Sequence, residues 1–476
     1  MTGMTGTSTP SAHAEPARRG APDAPSMTDP IVGTFSQAIG GPLGRHAVNP
    51  PRRRFWIPPR VILLSAILMF AAAWLQKYPC AEGAWIDHMQ YTQFCYSDIR
   101  ALWGAEHLDR GAIPYFEYPV EYPVLTGVLM GALGLPSYYL LGAAGGTLYW
   151  HLTAIVMFMF GLGGVAAMYR LRPTRPWDAM MLAVAPTMVF TALVNWDLMP
   201  AALTLFFLLA WSRGKPVAAG LLFGVAIAAK FYPLLIAGPL LVLAFRHRRL
   251  GPAMLTTAIA AGTWLAINLP FILFARDGWL RFFELNSERP IDWGTLWYVL
   301  RHFTTDDAGS PIPWGEAGLV NLAYLLLFVV ACAAIAGLGL FANTPPRLAQ
   351  LVFLVVAAFL LSGKVWSQQY VLWLIPLAVL ARPKWRAFLM WQVGELCYFF
   401  AFYGVLLRAS GETGVPEWVF ITASLARMIT LAVLCGLVVR EILDPSLDVV
   451  RDEYGRDPDG LLFAEVPRVS AAARTA

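Results

Sequence analysis

Apolar runs separated by short polar stretches fill the chain between residues 61 and 439. They cover 61–75, 151–169, 179–194, 198–211, 217–229, 234–245, 253–274, 319–341, 348–361, 371–381, 387–407 and 418–439. Such runs predict membrane-spanning helices, although several are shorter than the ~20 residues that a perpendicular crossing needs. Short spans ending in polar residues are expected where helices terminate inside a protein-lined cavity. The pattern gives an all-α polytopic fold of about twelve crossings, within a range of about 11–13. One further run, 124–146, does not fit. As a single crossing it would reverse every later loop, and Pro136 with Gly131, Gly134, Gly142, Gly145 and Gly146 predicts a broken or re-entrant hairpin.

The chain is 58% hydrophobic and 14% charged, against about 25% charged in soluble domains. Its net charge of +5 follows from topology and gives no ground for a nucleic-acid partner. Arg170, Arg172 and Arg175, Arg213 and Lys215, Arg246, Arg248 and Arg249, Arg347, Arg382, Lys384 and Arg386, and Arg440 lie at alternate span ends. The positive-inside rule assigns them to the cytoplasm, with Arg52, Arg53, Arg54 and Arg60 ahead of the first span. No cleavable signal peptide is expected before that span. Residues 1–55 are rich in Thr, Ser, Pro, Ala and Gly and read as a disordered cytoplasmic tail. A membrane domain follows over 56–440, with extracytoplasmic loops at 77–122 and 274–316, and 441–476 reads as a second cytoplasmic tail.

This topology places Asn195-Trp-Asp197, Lys230, the loop carrying Arg289 and the 364–370 stretch on the same outer face as the first loop. That loop bears Glu82, Asp87, Asp98, Glu106, Asp109, Glu117 and Glu121 against only Lys77, Arg100 and Arg110, a carboxylate excess suited to acid/base chemistry. Asp98 follows a plausible N-cap, Ser97, and opens an amphipathic helix made by Ile99, Leu102, Trp103 and Leu108. A helix start favours its anion; the bland alternative is a capping residue on a solvated loop. Glu117 and Glu121 sit in repeated Glu-Tyr-Pro steps, stiffened by proline, just ahead of an apolar run. They read otherwise as hydrated loop charge. Lys230, Lys364 and Arg289 each suit a snorkelling role. Three cations converging opposite the basic clusters point instead to a phosphate or pyrophosphate ligand.

There is no nucleotide-binding motif, no His-Glu-x-x-His and no Cys-x-x-Cys, so neither a metal site nor a cofactor is expected. Of the five cysteines, Cys80 and Cys95 share the first loop and form a candidate disulfide if that loop faces an oxidising compartment.

The run Cys95-Tyr-Ser-Asp98, the stretch Val120-Glu-Tyr-Pro-Val-Leu-Thr-Gly127 and Asn195-Trp-Asp197 resemble glycosyltransferase family 87, of the GT-C fold. So do Ala229-Lys-Phe-Tyr-Pro233, Trp293-Gly-Thr-Leu-Trp-Tyr298 and Ser367-Gln-Gln-Tyr370. The resemblance spans about 61–407. It implies a GT-C-type helical bundle with an early catalytic Asp in a long first loop. It also implies an inverting transfer of a sugar, mannose above all, from a polyprenyl-phosphate donor to an envelope glycolipid or glycan. Asp98 is then the base, and Lys230, Lys364 or Arg289 faces the phosphate. Glu117 or Glu121 orients sugar hydroxyls, and Tyr118, Tyr122 and Trp293 stack on sugar faces. Asp197, Tyr232 and Gln369 complete the expected substrate-binding set.

Two alternatives stand beside this. The sugar transferred is arabinofuranose, on the same carboxylate-and-cation logic. Or the chain is a transporter or lipid flippase, which predicts internal repeats and charges in mid-span; no repeat is visible, and the charges read as lying at span ends.

Overall fold

Pro58 and Pro59 in the first turn, where a missing N–H costs nothing, and Pro79 just beyond the last turn delimit the first long helix, α1 (Pro58–Lys77). The computed structural model describes residues 29–40, 57–305, 309–310 and 312–451. Asp98–Ala105 (α2), Val124–Leu141 (α3), Gly146–Leu171 (α4), Leu198–Ser212 (α5) and Pro216–Ala229 (α6) follow. Next come Ala237–Arg246 (α7), Leu250–Phe274 (α8), Arg276–Glu288 (α9), Leu296–Thr304 (α10) and Ala317–Phe341 (α11). Leu348–Ser362 (α12), Val371–Ala381 (α13), Trp385–Ala409 (α14) and Glu417–Leu443 (α15) complete the series. Among the described residues six stretches are long and apolar enough to cross a membrane, and α5, α6, α7, α12 and α13 belong to shorter apolar helices. The all-α polytopic class is therefore as the pattern predicts.

The run 179–194 is not a continuous helix. Pro186 interrupts it, leaving the short turns Ala179–Ala183 and Met188–Thr191. The unwound end has a use. The Leu193 carbonyl accepts from the Ser97 hydroxyl at 2.6 Å, and the Val194 carbonyl accepts from the Asp98 amide at 2.7 Å. Ser97 thus holds the N-cap position of α2, but its hydroxyl goes to a neighbouring segment and not to its own helix.

The expected hairpin at 124–146 is replaced by one helix, α3, that ends at Gly142 with φ +60°. Its glycines do not break it; they form a flat side for the first loop. Gly127 faces Tyr115, Gly131 faces Pro114 and Gly134 faces Leu108, each too close for a larger residue without displacement. Thr126 donates to the Ala229 carbonyl at one end (2.7 Å), and Trp103 donates to the Ala143 carbonyl just past the other (3.1 Å). The helix therefore runs beside the first loop along its length.

Those clusters do gather on one face. Arg172 and Arg347 both donate to the Leu380 carbonyl at the C-terminus of α13, where exposed carbonyls and the helix dipole favour cations. Arg347 also pairs with Asp448 (2.7 Å), and Lys384 and Arg382 pair with Glu441 (2.5 and 3.0 Å). The anchored chain thus extends past the expected boundary at 440, through α15 to residue 451. The rest of that tail lies outside the described residues. So does most of 1–55, within which Pro30–Gly40 is a helix belonging to a separate unit.

Two charges lie within spans, contrary to the sequence pattern. Glu395 in α14 and Arg427 in α15 form a buried ion pair at 2.8 Å. An intramembrane charge is tolerated when paired. Arg427 also lies between the Trp366 and Tyr398 rings (3.9 and 4.1 Å) and donates to the Trp366 and Ser367 carbonyls.

Candidate active site

The face opposite the basic clusters carries the predicted chemistry. The first loop is fixed to the end of α1 in two ways. A disulfide joins Cys80 to Cys95, with Cα atoms 5.5 Å apart. Lys77, fully buried, donates to the Phe94 carbonyl at 2.8 Å. The chain then delivers Tyr96 and Asp98 to the floor of a polar cavity of about 220 Å³. Asp98 Oδ1 accepts from the Tyr96 hydroxyl and Oδ2 from Asn195 Nδ2, each at 2.8 Å. The other N–H of the same amide goes to the Tyr122 hydroxyl, also at 2.8 Å. One Asn thereby fixes both a carboxylate and a phenol. The Val120–Gly127 motif becomes intelligible: Tyr122 ties it to Asn195, and Thr126 ties it to the residue preceding Lys230.

Enclosure raises the Asp98 carboxyl above the usual carboxylate range, against the lowering effect of the Asn195 and Tyr96 hydrogen bonds and of Lys230. The sequence alone suggests no such rise. If Asp98 acts as a base it works only when ionised, so activity should be lost as pH falls through this raised value. We predict that the acid limb of the pH–rate profile lies above the ordinary Asp value of about 3.9. Initial transfer rates between pH 4 and 8 check it; an acid limb at or below that value opposes the assignment.

Asp197 is fully buried. Its Oδ1 accepts from Trp373 Nε1 at 2.7 Å and lies 3.2 Å from Lys230 Nζ. The other oxygen, Oδ2, has no hydrogen-bond partner. Lys230 leaves α6 in an extended conformation and sits over the rings of Tyr122, Tyr370 and Trp373 at 5.3–5.9 Å. Burial is the largest single effect and lowers its ammonium pKa, but Asp197, Tyr370 and Asp98 together outweigh it and the net shift is upward. Lys230 stays a cation. Tyr232 stacks on Trp373 (4.5 Å) and bonds to Thr204, which makes it a wall of this cage.

Arg289 lines the cavity and pairs with Asp292 at 3.3 Å, its side chain 38% exposed. Lys364 plays a different part from the one expected. Its ammonium donates to the Ser287 and Arg289 carbonyls (3.1 and 2.7 Å), and its own carbonyl accepts from Asp292. It holds the Arg289 segment in place, with its pKa lowered first by burial and then by Arg289. Gln369 lines the cavity. Glu121 is half-buried, and burial, then the neighbouring Asp98, raises its carboxyl. Buried Glu106 is pushed to about 7 by burial and by Glu121.

Three expected contacts are not formed. Glu117 is exposed and accepts from the Ile113 amide, so it stabilises its own turn. Trp293 stacks on Tyr298 and not into the cavity. The Tyr118 ring is buried edge-on to His107. In the Trp293–Tyr298 motif the critical residue is Gly294, whose φ of +67° and contact with the Tyr398 ring leave no room for a side chain. Asn195, Tyr96, Asp292, Gln368, Tyr370 and Trp373 are further site residues. Asn195, Tyr96, Gln368 and Tyr370 stand inside the quoted motifs; Trp373, within an apolar helix, gives no signal.

Among the described residues no three or more His, Cys, Asp or Glu side chains cluster as a metal site.

An all-helical membrane protein with a buried carboxylate, a caged cation and a polar cavity on one face fits a membrane-embedded group transferase. The profile of glycosyltransferase family 87 matches residues 119–363, just over half of the chain, and the protein belongs to that family. No curated protein matches it in sequence. A solved structure, that of ArnT from Cupriavidus metallidurans bound to undecaprenyl phosphate, is similar over 81% of this chain and 78% of its own, at 14% identity and a TM-score of 0.39.

Proposed function

We propose that the protein transfers a sugar, mannose in the first instance, from a polyprenyl-phosphate donor to a glycolipid or glycan acceptor on the extracytoplasmic side of the membrane. The observation that carries this reading is Asp98, held by Tyr96 and Asn195 and lining one polar cavity with Arg289, while Lys230 pairs with Asp197 and lies against the Tyr122 ring that shares Asn195 with Asp98. A second cavity, of about 230 Å³ and lined by Phe223, Ile227, Phe231, Leu234 and Trp264, includes the residue that follows Lys230 in the chain. Its apolar walls suit a polyprenyl tail, and the Lys230 ammonium suits the phosphate.

In this mechanism the acceptor oxygen attacks the anomeric carbon as the bond from that carbon to the phosphate oxygen breaks. The acceptor proton passes to Asp98, and the leaving polyprenyl phosphate takes the bonding pair and with it a second negative charge, stabilised by Arg289 and Lys230. A single displacement inverts the anomeric centre. Lys364 and Asn195 position Arg289 and Asp98, and Glu121 is the carboxylate placed to orient a sugar hydroxyl. An arabinofuranosyl donor fits the same groups.

Sidedness supplies the first test. Single cysteines replacing Glu82 and Arg276 should react with a membrane-impermeant maleimide in intact cells, and one replacing Arg213 should not. The reverse labelling pattern would place the site in the cytoplasm and end the case for a polyprenyl-linked donor.

A further inference from the structure

The cavity above Asp98 has two unlike walls. Arg289 and Asp292 make one; Tyr91, Tyr96, Phe402, Tyr403 and Leu406 make the other. The aromatic wall presents no cation to the cavity. Its rings are set in fixed relation: Tyr91 and Tyr96 lie 6.1 and 6.3 Å from Tyr403, and Phe402 lies 5.4 Å from it. Gln368 Nε2 donates to the Tyr403 hydroxyl at 3.1 Å, which fixes the ring.

Beside it Gln369 also lines the cavity and is only 5% exposed, yet its side-chain oxygen is buried and accepts no hydrogen bond. Buried acceptors are almost always satisfied, so an unsatisfied one at a cavity wall suits an incoming donor. Asp98 stands at the junction of the walls. Its Oδ1 is turned to Tyr96 and the aromatic side, and its Oδ2 to Asn195 and the Lys230 side.

We propose that the aromatic wall and Gln369 form the acceptor subsite and that its ligand is a saccharide ring. A pyranose or furanose offers an apolar C–H face to Tyr91 and Tyr403 and hydroxyls along its edge. One hydroxyl donates to Gln369 Oε1, and the reacting hydroxyl donates to Asp98. The inference rests on the transferase reading and divides its site: phosphate on the cationic wall, acceptor sugar on the aromatic one. A lipid-borne sugar and a free glycan present the same ring chemistry.

The test is saturation-transfer NMR on the intact protein in nanodiscs, with octyl α-mannopyranoside, octyl β-galactopyranoside, octyl α-arabinofuranoside and free mannotriose as probes. At least one octyl glycoside should receive saturation at its ring protons and resist displacement by octanol. Its half-saturation concentration should rise about fivefold or more in Tyr91→Leu, the size expected for a lost aromatic contact, and should rise also in Gln369→Leu. Tyr403→Phe, which keeps the ring, should retain binding. Added undecaprenyl phosphate should leave it unchanged. Mannotriose binding as tightly as the glycoside marks a free glycan, and weaker binding marks a lipid-borne sugar; both support the subsite. The proposal is overturned if no glycoside binds, if Tyr91→Leu and Gln369→Leu bind like the wild type, or if undecaprenyl phosphate displaces the sugar. Failure of the transferase reading would show separately, as absence of transfer from any lipid donor while sugar binding persists.

Discussion

Asp98→Asn is expected to fold normally and to transfer sugar about 10²- to 10⁴-fold more slowly, the usual loss for a missing acid/base group. The hydrogen bonds permit the substitution. The new carbonyl oxygen accepts from Asn195, and the new amide donates to the Tyr96 hydroxyl, which rotates to accept. Stability should not fall. A carboxyl whose pKa is raised in the folded protein is harder to ionise there than in the unfolded chain, so its charge, once ionised, opposes folding. Removing the charge should leave the melting temperature equal or slightly higher. If Asp98 only caps α2, Asn serves as well and turnover stays near normal. Wild-type turnover in the purified variant would move the base to Glu121, because Glu117 faces its own turn outside the cavity.

Lys230→Met is expected to cost both stability and donor use. It leaves the Asp197 carboxylate, fully buried, without its cation. Breaking one side of a buried pair typically costs about 3–5 kcal/mol, more than the ~1.5–3 kcal/mol of a single charge-assisted hydrogen bond to phosphate. Thermal unfolding separates the two effects. Lys230→Met/Asp197→Asn should recover much of the lost stability, because no unpaired charge remains, yet still require more donor. Arg289→Ala should weaken donor use alone, since its side chain is 38% exposed and its loss strands no fully buried group. A Lys230→Met protein with wild-type melting and wild-type donor dependence would remove both the buried-pair and the phosphate roles.

Much of this was legible in the residues, and what was not has physical causes. Span positions follow from long apolar runs, whose signal is strong, and the gathering of basic span ends is seen where Arg172 and Arg347 meet at the C-terminus of α13. The run 124–146 is helical over Val124–Leu141 although glycine and proline are local helix breakers. In α3 the glycines make room for Tyr115, Pro114 and Leu108, a tertiary fact with no local signature. The run 179–194 has apolar composition but carries Pro186, the signal for its break. Asp98, Asp197, Lys230 and Arg289 were visible as charges on one face. Their supports were harder to see. Lys364 looked like a ligand, and only its bonds to the Ser287 and Arg289 carbonyls assign it to positioning. Glu395 and Arg427, unlike the charges at span ends, lie within spans, and their pairing explains how they are accommodated there.

The central claim is that this family 87 protein uses a polyprenyl-phosphate sugar. The most direct measurement is transfer by the purified protein in proteoliposomes supplied with radiolabelled polyprenyl-phosphate mannose or polyprenyl-phosphate arabinose and an envelope glycolipid extract. The account predicts that label from one donor moves into a glycolipid or glycan with inverted anomeric configuration, and that Asp98→Asn abolishes nearly all of it. Label that stays on both lipid donors with wild-type protein, or transfer that proceeds equally well with Asp98→Asn, would contradict it.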